Sequence, residues 1–195
     1  LSPSSAASDV YKRQGLDEVL SINPNKIAHA NGGTTAARWE ETEEMIKRTR
    51  AKLEIVSYGN PKARTQIIEL VKKRGELERI VIGSEGGTGQ GMMAAAIGRA
   101  IIEISSLSGV PADKAIAMAT GNSAELYGLN RGKIEPGREA DLVIIDRPVG
   151  SAGSDALEAI ELGDTYGIAA VIVDGKLVAL RGRDSRPTER NIRVN

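Results

Sequence analysis

Residues 53–83 read LEIVSYGNPKARTQIIELVKKRGELERIVIG, and this stretch decides the fold class. Leu53-Glu54-Ile55-Val56 is a short strand-forming run, and Gly59-Asn60-Pro61 turns the chain out of it. Proline suits a first helical position, because the N–H it lacks would have no partner there. The helix it opens is expected to reach about Arg74, with Ile67, Ile68, Leu70 and Val71 on its apolar face. Arg79 to Ile82 then reads as a second strand. A helix set between two strands is the connection that parallel strands require.

The same alternation continues on both sides. Upstream, Leu16 to Leu20 reads as the end of a helix, and Lys26-Ile27-Ala28-His29 as a short apolar run before the Gly32-Gly33-Thr34-Thr35 loop. Arg38 to Thr49 has helical character, acidic early and basic late, as the helix dipole prefers. Downstream, a glycine-rich loop from Gly83 to Gly91 leads into an apolar helix from about Met92 to Leu107. Strand, loop and helix thus recur three times, which predicts an α/β fold with parallel strands, in a barrel or a doubly wound sheet. In a barrel, function gathers at the carboxyl ends of the strands, and both His29 and the Ser84-Glu85 pair fall at such ends.

The texture changes after Ser108-Gly109. Pro111 to Leu129 reads as helical, and a Pro136-Gly137 turn precedes a strand from Asp141 to Ile145. Ser151 to Leu162 is rich in small residues and is expected to be a loop with a helical turn. Ile168 to Val173 and Lys176 to Leu180 flank Asp174-Gly175, a hairpin signature. The arginine-rich tail from Arg181 is expected to fray.

Composition narrows the function classes. The chain has no Phe, one Trp and four Tyr, so its core must be built from Ile, Leu, Val, Ala and Met. Lys plus Arg and Asp plus Glu number 26 each, and no basic stripe points to nucleic acid. The absence of Cys removes disulfides, thiolate nucleophiles and cysteine-ligated zinc. No apolar run approaches the roughly 20 residues that span a bilayer, so the expected setting is cytoplasmic, without a membrane partner.

Ser4 to Gln14, SSAASDVYKRQ, resembles the translation of a transposase adapter used to prepare sequencing libraries. Residues 1–14 are therefore set aside from the fold, as a fusion scar would be. An adapter abutting Gly15 implies a reading frame entered inside a gene, and hence a C-terminal fragment of a longer protein.

Two residues invite a chemical reading. His29 is the single histidine, and an imidazole at a strand terminus can direct a nitrogen toward a metal; the plainer alternative is a satisfied core or surface histidine. Glu85 lies in GSEGGTGQG, where a carboxylate can bind a metal or take a proton, or can be a solvated loop residue. The loop lacks the Lys and Ser/Thr of a phosphate-binding Walker motif. Nor does an acidic residue close a second strand about 20 residues on, as a dinucleotide fingerprint needs.

The tail carries a more specific signal. MATGNSAELYGL, then GKIEPGREADLVIID, then VIVDGKLV resemble the C-terminal signature of the amidohydrolase superfamily over roughly Met118 to Val178. Upstream, HANGGTTA, EIVSYGNPK and the helix after GSEGGTGQG are similar to the enamidase group within it. The resemblance implies about strands 6–8 of a TIM-like (β/α)8 barrel over residues 15–130. Residues 131–195 would be the C-terminal strands of a composite β-sandwich, with the tail. It implies hydrolysis of a carbon–nitrogen bond in a small cyclic amide or enamide by metal-bound hydroxide, with one or two divalent ions, zinc or iron. Alternatives are a deaminase, a dihydroorotase-like or imidazolonepropionase-like enzyme, or a non-catalytic barrel homologue. A homo-oligomer is compatible with all of them.

By the same resemblance His29 is the sixth-strand metal ligand, and Glu85 occupies the eighth-strand acidic position as ligand and catalytic base. Thr88, in the same loop, is the candidate substrate-binding residue. The superfamily's usual residue at the Glu85 position is aspartate, so the longer side chain implies an adjusted site or an altered activity. A His-x-His pair, a bridging Lys or Glu and a fifth-strand histidine, which complete the superfamily's metal site, have no counterparts here. Half a barrel also leaves open strand edges. The isolated fragment is therefore expected to be inactive, to hold metal weakly or not at all, and to fold poorly.

Overall fold

The computed structural model describes residues 7–9, 16–32, 39–84 and 95–193. The chain divides into two compact units, Leu1–Ala100 and Ile101–Asn195.

The first unit is an α/β layer. Its elements run β1 (Ala7–Asp9), α1 (Leu16–Ile22), β2 (Lys26–Ala28), α2 (Trp39–Arg48), β3 (Lys52–Val56), α3 (Pro61–Lys73) and β4 (Ile80–Gly83). The four strands form one sheet in the order β1-β2-β3-β4, and every pairing is parallel. β1 comes from the segment set aside on sequence grounds, and pairs Ala7 to Asp9 with Lys26 to Ala28.

Register explains the core. Ile27 is level with Leu53, Leu53 with Ile80 and Ile55 with Ile82, so one face of the sheet carries five aliphatic side chains. All five are buried, as are Met45 and Ile46 of α2 and Ile67, Ile68 and Val71 of α3. β-branched side chains fit such a pleated, enclosed surface. The opposite face is partly polar: Lys26 Nζ lies 3.3 Å from Glu54 Oε1, both half-buried.

Helix ends follow their local chemistry. The Asn60 side chain accepts the Ala63 N–H at 3.0 Å and so caps α3, with Pro61 beginning the helix. α2 opens on Glu40 and Glu41, closes on Lys47 and Arg48, and carries a Lys47–Glu43 pair at 2.9 Å. At the amino edge of the sheet, the buried Arg79 donates to the carbonyls of Ala51 at 3.0 Å and Ile46 at 3.1 Å, and to Glu76 at 2.7 Å. One guanidinium thus satisfies carbonyls left over where α2 ends.

α4 (Ala96–Ser108) contains the division between the units. The second unit continues with α5 (Ala112–Ala119), α6 (Gly121–Tyr127), β5 (Leu142–Asp146), α7 (Ala156–Glu161), β6 (Gly167–Val173) and β7 (Lys176–Leu180). The single helix expected after Pro111 is broken at Thr120, whose ψ is −88°. Gly132 lies against this break, so close that a Cβ there would stand 2.8 Å from the Thr120 carbonyl oxygen. β5, β6 and β7 form an antiparallel sheet in that order, with the expected hairpin at Asp174 and Gly175, both at positive φ. Val143, Val178 and Leu180 are exposed by 56%, 58% and 51%.

One sequence expectation is met in this unit and one is corrected. The segment expected to be a loop with a helical turn holds the six-residue α7, opened by Asp155 accepting from the Leu157 and Glu158 N–H groups, while Glu158 accepts the Ser154 N–H at 2.7 Å. The tail expected to fray is pinned instead. Thr188 forms a β-bridge with Pro148, and Arg190 holds the buried Asp146 through its backbone N–H, Nε and Nη2.

Candidate functional site

Parallel strands deliver their carboxyl ends to one edge of a sheet, and loops at that edge are free to carry chemistry. Here that edge is formed by His29 after β2, Ser57 after β3 and Ser84 after β4. His29 is half-buried, and its φ of 49° lies in the left-handed region. For a side chain with a Cβ that conformation costs about 1–2 kcal/mol, and it persists only where the surroundings enforce it.

The enforcing contacts surround His29. Its carbonyl accepts the Gly32 N–H at 2.7 Å, and the Ala30 N–H reaches the Glu54 carbonyl at 2.8 Å. Asn31 is fully buried. Its Nδ2 donates to the Val56 carbonyl at 2.9 Å, and its Oδ1 accepts the Val56 N–H at 2.9 Å. The Asn31 carbonyl accepts the Asn60 N–H at 3.1 Å, so the loops after β2 and β3 are tied by both side chain and backbone. Gly59 permits the approach, since a Cβ there would lie 2.0 Å from Asn31 Nδ2.

A parallel tie reaches β4. Ser57 donates its N–H to the Gly83 carbonyl at 3.1 Å and its hydroxyl to the Ala96 carbonyl at 3.2 Å. Tyr58 is half-buried in the same loop. Sequence reasoning does not single out Asn31 as a site-building residue. Its one signal is an asparagine beside glycines, two positions after the candidate ligand.

Of the sequence-identified residues, His29 stands at this edge, while Glu85 and Thr88 lie outside the described residues. Among the described residues no three His, Cys, Asp or Glu side chains gather into a group able to hold a metal ion. The described residues therefore do not by themselves fit a metal centre, although an imidazole at the strand end is a suitable single donor. No described helix is long and apolar enough to cross a membrane.

Comparison with known proteins is consistent across sequence and fold. Residues 15–178 match the amidohydrolase family. The chain is 38% identical over 178 residues to an enamidase from Eubacterium barkeri, covering 91% of this chain and 46% of that protein. The crystal structure of an enamidase described as a member of the amidohydrolase superfamily superposes with a TM-score of 0.90 at 36% identity, over 95% of this chain and 49% of that one. A β-aspartyl dipeptidase from Fervidobacterium islandicum AW-1 shares the fold at a TM-score of 0.54 and 20% identity, over 78% and 37% of the two chains. The chain spans about half the length of the two enamidases it matches. With the family matched across most of its length, from strand edge to hairpin, the chain belongs to the amidohydrolase family.

Proposed function

We propose that the protein to which this chain contributes hydrolyses a carbon–nitrogen bond in a small cyclic amide or enamide. The observation that carries this reading is the 38% identity to an enamidase over 91% of the chain. The location of His29 supports it, at the carboxyl edge where α/β enzymes build their sites.

In this reading β2, β3 and β4 correspond to about strands 6–8 of a TIM-like barrel. The partly polar face bearing Lys26 and Glu54 would turn toward the barrel axis. β5, β6 and β7 are the C-terminal strands of a small β-sandwich, and the exposed Ile144 and Leu180, level with each other across Ala170, are the kind of surface that further strands would cover. The boundary between the two would fall near residue 130. The protein would work in the cytoplasm.

A divalent metal, zinc or iron, would supply activated water to such a site when bound. His29 offers it one imidazole and Glu85 one carboxylate, and the remaining ligands would come from chain beyond this one. Glu85 would also take the proton of the attacking water and pass it to the leaving nitrogen. Thr88 would contact the substrate from the same loop.

The test is hydrolysis of a panel of small cyclic amides and enamides by the full-length protein, followed through the ring-opened product. Turnover that is lost on chelation and returns with zinc or iron is expected. Turnover indifferent to chelation removes the metal from the reading, and no turnover on any cyclic amide or enamide overturns the substrate class.

A further inference from the structure

We infer that Asn31 is a positioning residue for His29, locking the chain after β2 into the left-handed turn that presents the imidazole at the carboxyl edge. The inference deepens the proposed hydrolase reading and rests on it for the chemical role of His29, but the lock itself does not.

Three observations converge on it. Asn31 is fully buried, and both polar atoms of its amide are used on one residue, Val56, at 2.9 Å each. A side chain rarely replaces both partners of a strand residue, and here it does so where β3 ends and the adjacent strand has already turned away. Next, the residue held this way lies two positions from His29, whose φ of 49° needs outside support. Gly32 closes the turn on the His29 carbonyl at 2.7 Å, and Asn60 closes the Asn31 carbonyl at 3.1 Å, so Asn31 is fixed through side chain and backbone together. Last, the fit leaves no slack, because a Cβ on Gly59 would stand 2.0 Å from Asn31 Nδ2.

An asparagine suits the position because the task requires one donor and one acceptor in a fixed plane. Aspartate would set a second oxygen against the Val56 carbonyl, and a hydroxyl side chain is too short to meet both groups.

The test uses His29 as its own reporter in the full-length protein, where peptide mapping separates it from any other histidine. Diethyl pyrocarbonate modification of His29 is followed by mass spectrometry at low concentration in the wild-type protein and in Asn31→Ala, Asn31→Ser and Gly59→Ala. Hydrogen exchange of peptides covering residues 26–32, 52–60 and 77–83 is measured in parallel. Asn31→Ala and Gly59→Ala should each change the rate of His29 modification severalfold, with exchange raised around residues 30–32 and 56–60 and unchanged in β4. Asn31→Ser, the milder change, serves if either of the others also deprotects β4. A wild-type modification rate in any variant whose strand-end amides are deprotected while β4 stays protected overturns the inference. Neither readout needs turnover, so failure of the hydrolase proposal leaves this result intact.

Discussion

The amide of Asn31 and the backbone of Val56 form a closed pair, N–H to Oδ1 and Nδ2–H to carbonyl, each at 2.9 Å. One side chain thereby takes the place of a strand neighbour at the end of β3. The pair lies beside Gly59, which has no room for a Cβ. The candidate edge of the sheet is therefore built on a fixed frame, not on loops that find their shape separately.

That closeness predicts coupling. Gly59→Ala should cost about 1–3 kcal/mol by overpacking, and Asn31→Ala about 1–3 kcal/mol through the unpaired Val56 groups. Removing the Asn31 amide also empties the space the new methyl would fill, so the double variant should cost clearly less than the sum. Urea unfolding of the four proteins measures this. Additive costs would mean the two residues do not press on each other.

Acid should weaken the amino edge of the sheet. Hydrogen bonds from Arg74 and then Arg79 hold the Glu76 carboxyl down to about 2, well below the usual carboxylate range. A lowered carboxylate contributes its stability in full above its unfolded value of about 4.3 and loses it as pH falls toward about 2. Glu76→Gln should therefore flatten the fall of the unfolding midpoint through that window. An identical acid slope in Glu76→Gln would remove Glu76 as its cause.

The tail should behave as a structural strap. Hydrogen bonds from Arg190 lower the Asp146 carboxyl to about 2, and Thr188 bridges to Pro148. Deleting residues 183–195 should raise hydrogen exchange in β5 and β6 and leave β3 and β4 unchanged. Unaltered protection in β5 would show that the strap carries no stability.

Gly132→Ala should be among the costlier single changes in the second unit. Its φ is 83°, and a Cβ would stand 2.7 Å from that of Ala124 and 2.8 Å from the Thr120 carbonyl oxygen. Strain and overlap together predict a loss of about 2 kcal/mol or more. An unchanged thermal midpoint would contradict the close packing at the α5–α6 break.

Much of the fold is legible in the sequence because its signals are local. Ile55 and Ile82 belong to short β-branched runs, and Asn60-Pro61 is a cap followed by a first-turn proline, so β3, α3 and β4 emerge from neighbouring residues alone. The break at Thr120 falls on the weak helix formers Thr120-Gly121-Asn122-Ser123, but what places it there is packing against Gly132, farther along the chain. The strap is hidden because Asp146 and Arg190 are 44 residues apart and charged residues look alike in a polar tail. At the candidate site the single His29 is easy to find by its type and place after an apolar run. Asn31 is not, because its function depends on Val56, 25 residues away.

The most direct measurement is turnover of a small cyclic enamide by the full-length protein carrying His29→Ala or Glu85→Ala, with folding checked by circular dichroism. Loss of about 100-fold or more in each variant is expected for a metal-ligating imidazole and a carboxylate that handles the proton. Wild-type turnover in folded His29→Ala would contradict a catalytic centre at the end of β2.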